Sequence, residues 1–168
     1  MVGGVLGKDH NIYALPFEGK RVLKIDVSND STSYIGDEYT NNLKWMNGAL
    51  AKDGNIYACP FEANQILQIH VESQTTNLVG PSLGGDLWKW SDFVEGEDGF
   101  LYGIPYRSNE LLRFDPINHT ATLIPLPVEM QGEFTKWGGG VRAENGFIYG
   151  IPWDAGQVLS ISPLNYRP

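Results

Sequence analysis

The chain has 168 residues and a formal net charge of −8, with 42% hydrophobic and 19% charged residues. A compact domain of this size buries about 70% of the surface that its unfolded chain exposes, so a substantial core is expected. The acidic balance argues against nucleic-acid and anionic-membrane surfaces, which need clustered Lys and Arg. The 20 Gly and 10 Pro predict a turn-rich, all-β fold.

Targeting signals and disulfides are not indicated. The sequence has no basic start of a signal peptide, and no apolar run approaches the roughly 18 residues of a transmembrane segment. We therefore predict a soluble chain of undetermined compartment. The single cysteine, Cys59, excludes an internal disulfide and is predicted to be buried in an apolar strand. Asn29 and Asn118 begin glycosylation sequons that tight turns explain without a glycan.

An internal repeat of about 45 residues organises the chain. It is marked by four tyrosines with spacings of 44, 45 and 47 residues: Tyr13, Tyr57, Tyr102 and Tyr149. Each tyrosine is followed three residues later by a proline and then by an aromatic residue, namely Phe17, Phe61, Tyr106 and Trp153. Twelve residues before the last three tyrosines stand Lys-Trp pairs, at Lys44 and Trp45, Lys89 and Trp90, and Lys136 and Trp137. Met1 takes the tryptophan position in the first copy.

Each copy predicts three or four short strands. The first two are joined by Asp-Gly or Asn-Gly in three copies, which is the strongest short hairpin signal. The second strands are predicted at 11–15, 55–59, 100–104 and 147–151, and the third at 22–25, 66–69, 111–114 and 158–161. One polar residue of each third strand is predicted to face outward: Lys24, Gln68, Arg113 and Ser160. Fourth strands are predicted at 33–35, 75–79 and 121–124.

Four short antiparallel strands in about 45 residues are typical of a β-propeller blade. We predict one propeller domain over residues 1–168, with blades at approximately 1–44, 45–89, 90–136 and 137–168, the last blade lacking its outer strand. Glycines on the first strands suit the crowding of inner strands around the axis. The third copy departs from this pattern, with Asp92 and Phe93 where the others have small residues.

The copies contain the motifs Lys-Trp-x-Gly-Gly-Val, Asn-Gly-x-Ile-Tyr-Gly-Ile-Pro and Val-Leu-x-Ile-Asp. In these motifs the chain resembles β-propeller repeats of the Kelch and lactonase-like kind, as found in many proteins of algae and other microbial eukaryotes. The resemblance covers the whole chain and implies a propeller fold. Because those proteins mostly lack an assigned activity, it implies little about function.

Ring closure has two interpretations. The four blades close alone, or the chain is half of an eight-bladed ring that a second copy, as a homodimer, or further sequence completes. The outer edge of the last blade has no predicted partner strand, and an unpaired edge favours association unless it is blunted. The segment 163–168 contains two prolines that would blunt it.

One face of the propeller is predicted to carry a rim of aromatic residues, because the loops before the first strand and after the second emerge on the same side. The candidate ligand-binding residues are Phe17, Phe61, Tyr106, Trp153, Trp45, Trp88, Trp90 and Trp137. Beside them we expect polar groups from Lys44, Lys89, Lys136, Glu18, Glu62 and Asp154. Such rims bind protein or glycan ligands, whereas regular recurrence favours a role in packing blades together. Trp88 occurs once, so we expect it to face solvent or a partner.

No catalytic residue, metal site or cofactor is predicted. The histidines His10, His70 and His119 fall at three different repeat positions and do not converge. The leading hypothesis is a non-enzymatic binding or assembly module for a protein or glycan. Two alternatives stay open: a lactonase- or lyase-like hydrolytic propeller with a carboxylate-held metal in its channel, and a fragment of a longer array without independent activity.

Overall fold

The computed structural model describes residues 1–132 and 134–163, which form 15 strands in four antiparallel sheets and one 3₁₀ turn at Val128–Met130. The first sheet contains β1 (Gly4–Leu6), β2 (Ile12–Ala14), β3 (Val22–Asp26) and β4 (Ser31–Ile35). The second contains β5 (Trp45–Leu50), β6 (Ile56–Pro60), β7 (Ile66–His70) and β8 (Thr75–Val79). The third contains β9 (Trp90–Glu95), β10 (Leu101–Pro105), β11 (Glu110–Asp115) and β12 (Thr120–Pro125). The fourth contains β13 (Trp137–Arg142), β14 (Ile148–Pro152) and β15 (Leu159–Ile161).

The all-β propeller-type fold is confirmed, with one repeat copy in each sheet. Strands follow one another within each sheet in sequence order, and the register is the same in every copy. The repeat tyrosine of the second strand pairs with the equivalent residue of the first strand: Val5, Ala49, Val94 and Val141. The first strands are neighbours, since β5 contacts both β1 and β9, and β9 contacts β13. These four strands therefore line the inner side of the blades.

The hairpin between the first and second strands is held by an Asp and the repeat tyrosine. Oδ1 of Asp53 accepts a hydrogen bond from the backbone N–H of Asn55 at 2.9 Å, which forms the turn. Its Oδ2 accepts a hydrogen bond from the Tyr57 hydroxyl at 2.8 Å. The first and third copies repeat the tyrosine contact, with Asp9 and Asp98 as acceptors. The role of this Asp in the turn was thus predicted from the sequence. Its hydrogen bond to the tyrosine hydroxyl is seen only in the structure.

In blades 2 and 3 the polar residue of the third strand does not face outward, so the prediction was wrong there, whereas Ser160 of blade 4 is exposed. Gln68 is 4% exposed, and its Nε2 donates to the hydroxyl of Tyr57 at 2.8 Å. Arg113 donates to the Tyr102 hydroxyl and to the Asp98 carboxylate, both at 3.2 Å. Because both faces of these blades are covered, a polar side chain in the strand needs a partner inside the sheet. The tyrosine and the turn carboxylate supply it.

The buried apolar residues form three clusters, each between consecutive blades. Blades 1 and 2 share the cluster that includes Tyr13, Leu15, Ile56 and Leu67. Blades 2 and 3 share a second, and blades 3 and 4 a third. In residues 1–132 and 134–163, none of these clusters joins blade 4 to blade 1. The stacking of blades against their sequence neighbours is therefore the main source of apolar burial.

Two further sequence predictions concern the C-terminal segment and membrane-spanning helices. Most of the segment predicted to blunt the last blade, residues 164–168, lies outside the described residues. Within the described ranges, no helix has the length and hydrophobicity that a membrane span requires.

Candidate functional site

Four aromatic rings form a continuous row across the four blades. The ring centroids of Phe17 and Phe61 are 5.6 Å apart, those of Phe61 and Tyr106 5.4 Å, and those of Tyr106 and Trp153 6.1 Å. These separations are typical of favourable tilted and edge-to-face pairs. The row forms because each Pro-aromatic turn ends a second strand at the same height. The sequence-predicted aromatics of this turn are thus brought together.

The row lies against the inner strands and ends on an exposed tryptophan. Trp153 is 64% exposed, and it covers the backbone of Gly138 in β13. A Cβ atom at Gly138 would lie 2.8 Å from Cε3 of Trp153, so this approach requires a residue without a side chain. Gly138 therefore lets Trp153 pack directly on the backbone of β13.

The tryptophans of the Lys-Trp pairs occupy a different environment. All three are at most 2% exposed, and each indole N–H donates to a backbone carbonyl 20 residues later, at 2.8 to 2.9 Å. They are Trp45, Trp90 and Trp137. This geometry matches the packing alternative, and it leaves their ring faces inside the blades. Of the other candidate aromatics, Phe61 is also buried, at 5% exposure. The partly or largely exposed ones are Phe17, Trp88, Tyr106 and Trp153.

The lysines of the same pairs do not offer their charges to the rim, contrary to the sequence-based expectation. The Lys136 side chain is fully buried, and its Nζ donates to the carbonyl oxygens of Arg107 and Gly132, both at 2.9 Å. Burial lowers the pKa of Lys44, Lys89 and Lys136. Each side chain bonds to carbonyls of the surrounding loops. These lysines therefore tie the rim loops together.

Trp88 extends the aromatic surface beside the row. It is half-buried, with its ring stacked on Phe61 at 6.2 Å and an interplanar angle of 17°. The guanidinium carbon of Arg107 lies 4.3 Å from the Trp88 ring centroid, within the range of a cation–π contact. Its expected exposure to solvent or a partner is therefore only partial. The structure adds a positively charged group that the sequence did not single out.

A carboxylate lies next to the row and was not among the sequence-predicted site residues. Oδ2 of Asp92 accepts a hydrogen bond from the backbone N–H of Gly140 at 3.3 Å. A Cβ at Gly139 would lie 3.4 Å from the same oxygen, and the preceding residue, Gly138, lies under Trp153. Burial raises the pKa of Asp92 to about 7, although backbone hydrogen bonds favour its charged form. The sequence signal was that Asp92 is the one carboxylate at its repeat position, where the other copies have Gly3, Asn47 and Gly139.

Polar contacts connect the inner strands around Asp92. Nδ2 of Asn47 donates to the carbonyl of Ser91 at 3.1 Å, and the Ser91 hydroxyl donates to the carbonyl of Trp137 at 2.9 Å. Cys59 is fully buried, as predicted, and burial together with the nearby charge of Asp92 raises the pKa of its thiol. The Cys59 thiol therefore serves as a packing group. Asp92 is the acid–base group at the inner strands.

An open groove adjoins this surface on the outer side of blade 3. Its volume is about 1140 Å³, and its lining includes Lys89, Trp90, Arg107 and Glu110. An equivalent groove of about 620 Å³ lies beside Trp45 in blade 2. The grooves recur because the loop after each Pro-aromatic turn faces the connection that enters the same blade. Arg107 therefore borders both the aromatic surface and the larger groove.

The histidines lie apart from this surface and from one another. His10 is an exposed turn residue, His70 contacts Asn77 at the end of β7, and His119 stacks on Phe114 at 6.2 Å. In the described part of the chain, no three His, Cys, Asp or Glu side chains are placed to hold a metal ion. These residues therefore supply no ligand set for the metal that the hydrolytic alternative invokes.

Sequence comparison assigns the chain to a family. A family model described as a repeat of unknown function, DUF6923, matches residues 4–165. The chain belongs to the DUF6923 repeat family. No protein of curated function matches its sequence. The Kelch part of the resemblance stays a prediction, as do the specific motifs quoted for it.

Solved structures similar to the DUF6923 chain include lyase- and lactonase-like propellers. A streptogramin B lyase is 16% identical with a TM-score of 0.75, and the match covers 98% of the chain and 52% of the lyase. A catalytically inactive virginiamycin B lyase from Staphylococcus aureus with quinupristin is 15% identical with a TM-score of 0.80, covering 98% and 53%. A structure assigned as a gluconolactonase is 13% identical with a TM-score of 0.67, covering 95% and 59%.

The DUF6923 chain spans little more than half the length of these three propellers. At 13 to 16% identity, the likeness shows the fold alone. The propeller part of the expected resemblance is thus confirmed, and the function has to be argued from the site.

Proposed function

We propose that this chain is a non-enzymatic binding module whose aromatic rim engages a protein or a glycan. The observation that carries the proposal is the continuous row from Phe17 to Trp153, with Trp88 stacked beside it. Accessible aromatic faces bury apolar ligand surface at a low entropy cost, because each ring has only two side-chain torsions. A partly exposed row of this length is therefore suited to an extended ligand.

Polar groups beside the row would orient such a ligand. The Arg107 guanidinium, held over Trp88, is a hydrogen-bond donor, and the Asp92 carboxyl is an acceptor or a donor according to its protonation. Aromatic surface combined with a few placed polar groups is the usual composition of a ligand site. Sugar hydroxyls and peptide amides can both form hydrogen bonds with these two groups. An experiment is therefore needed to distinguish a glycan ligand from a protein ligand.

The test uses a glycan array and a peptide array as probes, followed by titration calorimetry on the strongest hit. We expect Trp88→Ala and Trp153→Ala each to weaken binding by about tenfold, as loss of an interface aromatic does. Phe147→Ala is the matched control, because Phe147 is a partly exposed aromatic at the opposite end of its blade. Binding that is unchanged in both tryptophan variants would remove the rim from consideration.

A second candidate is a lyase- or lactonase-like enzyme, and Asp92 is the observation that favours it. A carboxyl with a pKa near 7 beside a ligand surface is suited to proton transfer at neutral pH. Metal analysis of the purified protein tests the channel-metal form of this hypothesis. Stoichiometric calcium or zinc, lost in Asp92→Asn, would support the enzyme, whereas a metal-free protein with rim-dependent binding would support the binding module.

A further inference from the structure

Consecutive blades contact each other through two recurring faces. We call the face directed at the next blade the leading face and the opposite one the trailing face. In blades 1 to 3 the leading face is closed, since the residue two positions after the repeat tyrosine is 0% exposed in each: Leu15, Cys59 and Ile104. The first apolar residue of the third strand is at most 3% exposed: Val22, Ile66 and Leu111. These side chains are covered by the trailing face of the following blade.

The leading face of blade 4 has apolar side chains at the same two positions, and among the described residues no further blade covers them. Ile151 and Val158, at the two positions just described, are 52% and 53% exposed. Val141 on β13 is also exposed, and Tyr149 is half-buried where the other three repeat tyrosines are fully buried. A contiguous apolar sheet face of this kind marks an interaction surface.

The trailing face of blade 1 is the complementary open surface. Ile12, Leu23 and Ile25 are half-buried there. Their equivalents in blade 2, Ile56, Leu67 and Ile69, are all 0% exposed. Blades 4 and 1 therefore carry the two halves of an interface that forms three times between consecutive blades. In the described residues, blade 1 does not cover blade 4.

The turn residues at the end faces of blades 4 and 1 are also placed to contact each other. In each internal interface, a residue of the turn after the first strand lies close to the turn glycine of the next blade. A Cβ at Gly54 would lie 2.8 Å from Cδ of Lys8, and one at Gly146 would lie 2.9 Å from Cδ of Glu97. Glu144 is the equivalent residue of blade 4, and His10 is the equivalent turn residue of blade 1. A carboxylate and an imidazole would thus meet where the two end faces join.

We propose that the leading face of blade 4 binds the trailing face of blade 1 of a second copy of this chain. The contact continues the internal interface, which is already matched in shape and register. Two copies joined head to tail at two identical seams close a ring of eight blades, within the usual range of four to eight. Trp153 then faces Phe17 of the second copy, so the aromatic row extends around the whole ring. This contact does not depend on the ligand proposed above.

The first experiment is light scattering behind a sizing column, over a wide range of protein concentrations. We expect a mass of twice 18.7 kDa for the chain. The double variant Ile151→Asp and Val158→Asp should give the single mass with an unchanged circular dichroism spectrum, because both side chains are already exposed within one copy. The control is Ile117→Asp, at a residue that is 73% exposed outside both end faces, and it should leave the double mass unchanged.

The second experiment locates the seam. A variant with His10→Cys and Glu144→Cys, treated with a short bis-maleimide, should give a covalent dimer on a denaturing gel, and Cys59 should stay unmodified because it is buried. The same reaction should fail in the background of the Ile151 and Val158 double variant. A single mass at all concentrations, an open-ended polymer, or a dimer that is neither dissociated by the double variant nor crosslinked at this pair would overturn the proposal. Trp88→Ala should not change the mass, so loss of ligand binding and loss of the dimer are distinguishable.

Discussion

The carboxylate of Asp92 accepts a hydrogen bond from the backbone amide of Gly140, 3.3 Å away on the inner strand of the next blade. Asn47 occupies the same repeat position in blade 2 and also bonds to the next inner strand, through the carbonyl of Ser91. The side chain at this repeat position therefore bonds to the backbone of the next blade at two successive junctions, between blades 2 and 3 and between blades 3 and 4. The amide does so as a neutral group, whereas the acid adds a charge that burial disfavours.

This difference predicts a pH-dependent effect of Asp92→Asn. Because the pKa of Asp92 is raised from 3.8 to about 7 in the folded chain, the folded state holds a proton that the unfolded state has lost. The stabilising contribution of this group is therefore present below pH 4 and is lost as the pH rises to about 7. At about 1.4 kcal/mol per pKa unit, discounted for partial solvent exposure, the loss is about 2 kcal/mol.

Urea unfolding of wild type and Asp92→Asn between pH 4 and pH 8 measures this effect. The free energy of unfolding of the variant relative to wild type should increase over that range and then stay constant. Asp86→Asn is the control, since it makes the same substitution at an exposed position. A difference between Asp92→Asn and wild type that stays constant with pH would show that Asp92 titrates normally.

The repeat tyrosines predict a contrast between blades 2 and 4. The Tyr57 hydroxyl lies in hydrogen-bond contact with Asp53, Gln68 and the carbonyl of Pro116, whereas that of Tyr149 contacts only Asn145 among its described neighbours. Tyr57→Phe should lower the free energy of unfolding by about 2 kcal/mol, because buried partners lose their bonds. Tyr149→Phe should cost less than about 0.5 kcal/mol. Equal losses in thermal or urea unfolding would contradict the role of this network.

Replacing one of the buried lysines is predicted to lower the free energy of unfolding more than replacing an exposed lysine does. Lys136→Met keeps the length of the side chain but removes the donor to the carbonyls of Arg107 and Gly132. We expect the free energy of unfolding to fall by about 2 kcal/mol, since two loop carbonyls lose a charged donor. Lys20→Met, at an exposed lysine, should change it by less than about 0.5 kcal/mol. If Lys136→Met were neutral, water would be satisfying those carbonyls instead.

Two glycines, one on an inner strand and one in the loop between β14 and β15, predict opposite effects of substitution by alanine. A Cβ at Gly48 would lie 2.3 Å from the carbonyl oxygen of Tyr57, so Gly48→Ala should destabilise the chain by about 2 kcal/mol through a shift of the β5–β6 pair. A Cβ at Gly156 would have no neighbour within 4 Å, and Gly156→Ala should be neutral or stabilising by up to about 1 kcal/mol. Melting temperatures of the two variants check the contrast, and a tolerated Gly48→Ala would mean that the strands separate easily.

Much of the fold could be predicted because each copy repeats the same local signals. The Asp-Gly turns, the alternating strands and the tyrosine spacing place the elements to within a few residues. The candidate site was less predictable, since Trp45 and Phe17 share the same regular recurrence but differ in exposure. Whether a recurring aromatic is buried depends on the neighbouring blade, and no pattern within one copy reports that. Asp92 was visible as an exception, yet its acid–base character depends on strands of two blades.

The sequence by itself determined the number of copies, the strands within each and the turn chemistry, because these follow from periodicity and short-range hydrogen bonding. Only the tertiary structure decided which faces the lysines, the tryptophans and Gln68 present, and that the end faces of blades 1 and 4 stay open. The physical reason is that burial is a property of pairs of blades. Residues such as Ile104 and Ile151 have equivalent places in the repeat, and they differ only in whether a further blade covers them.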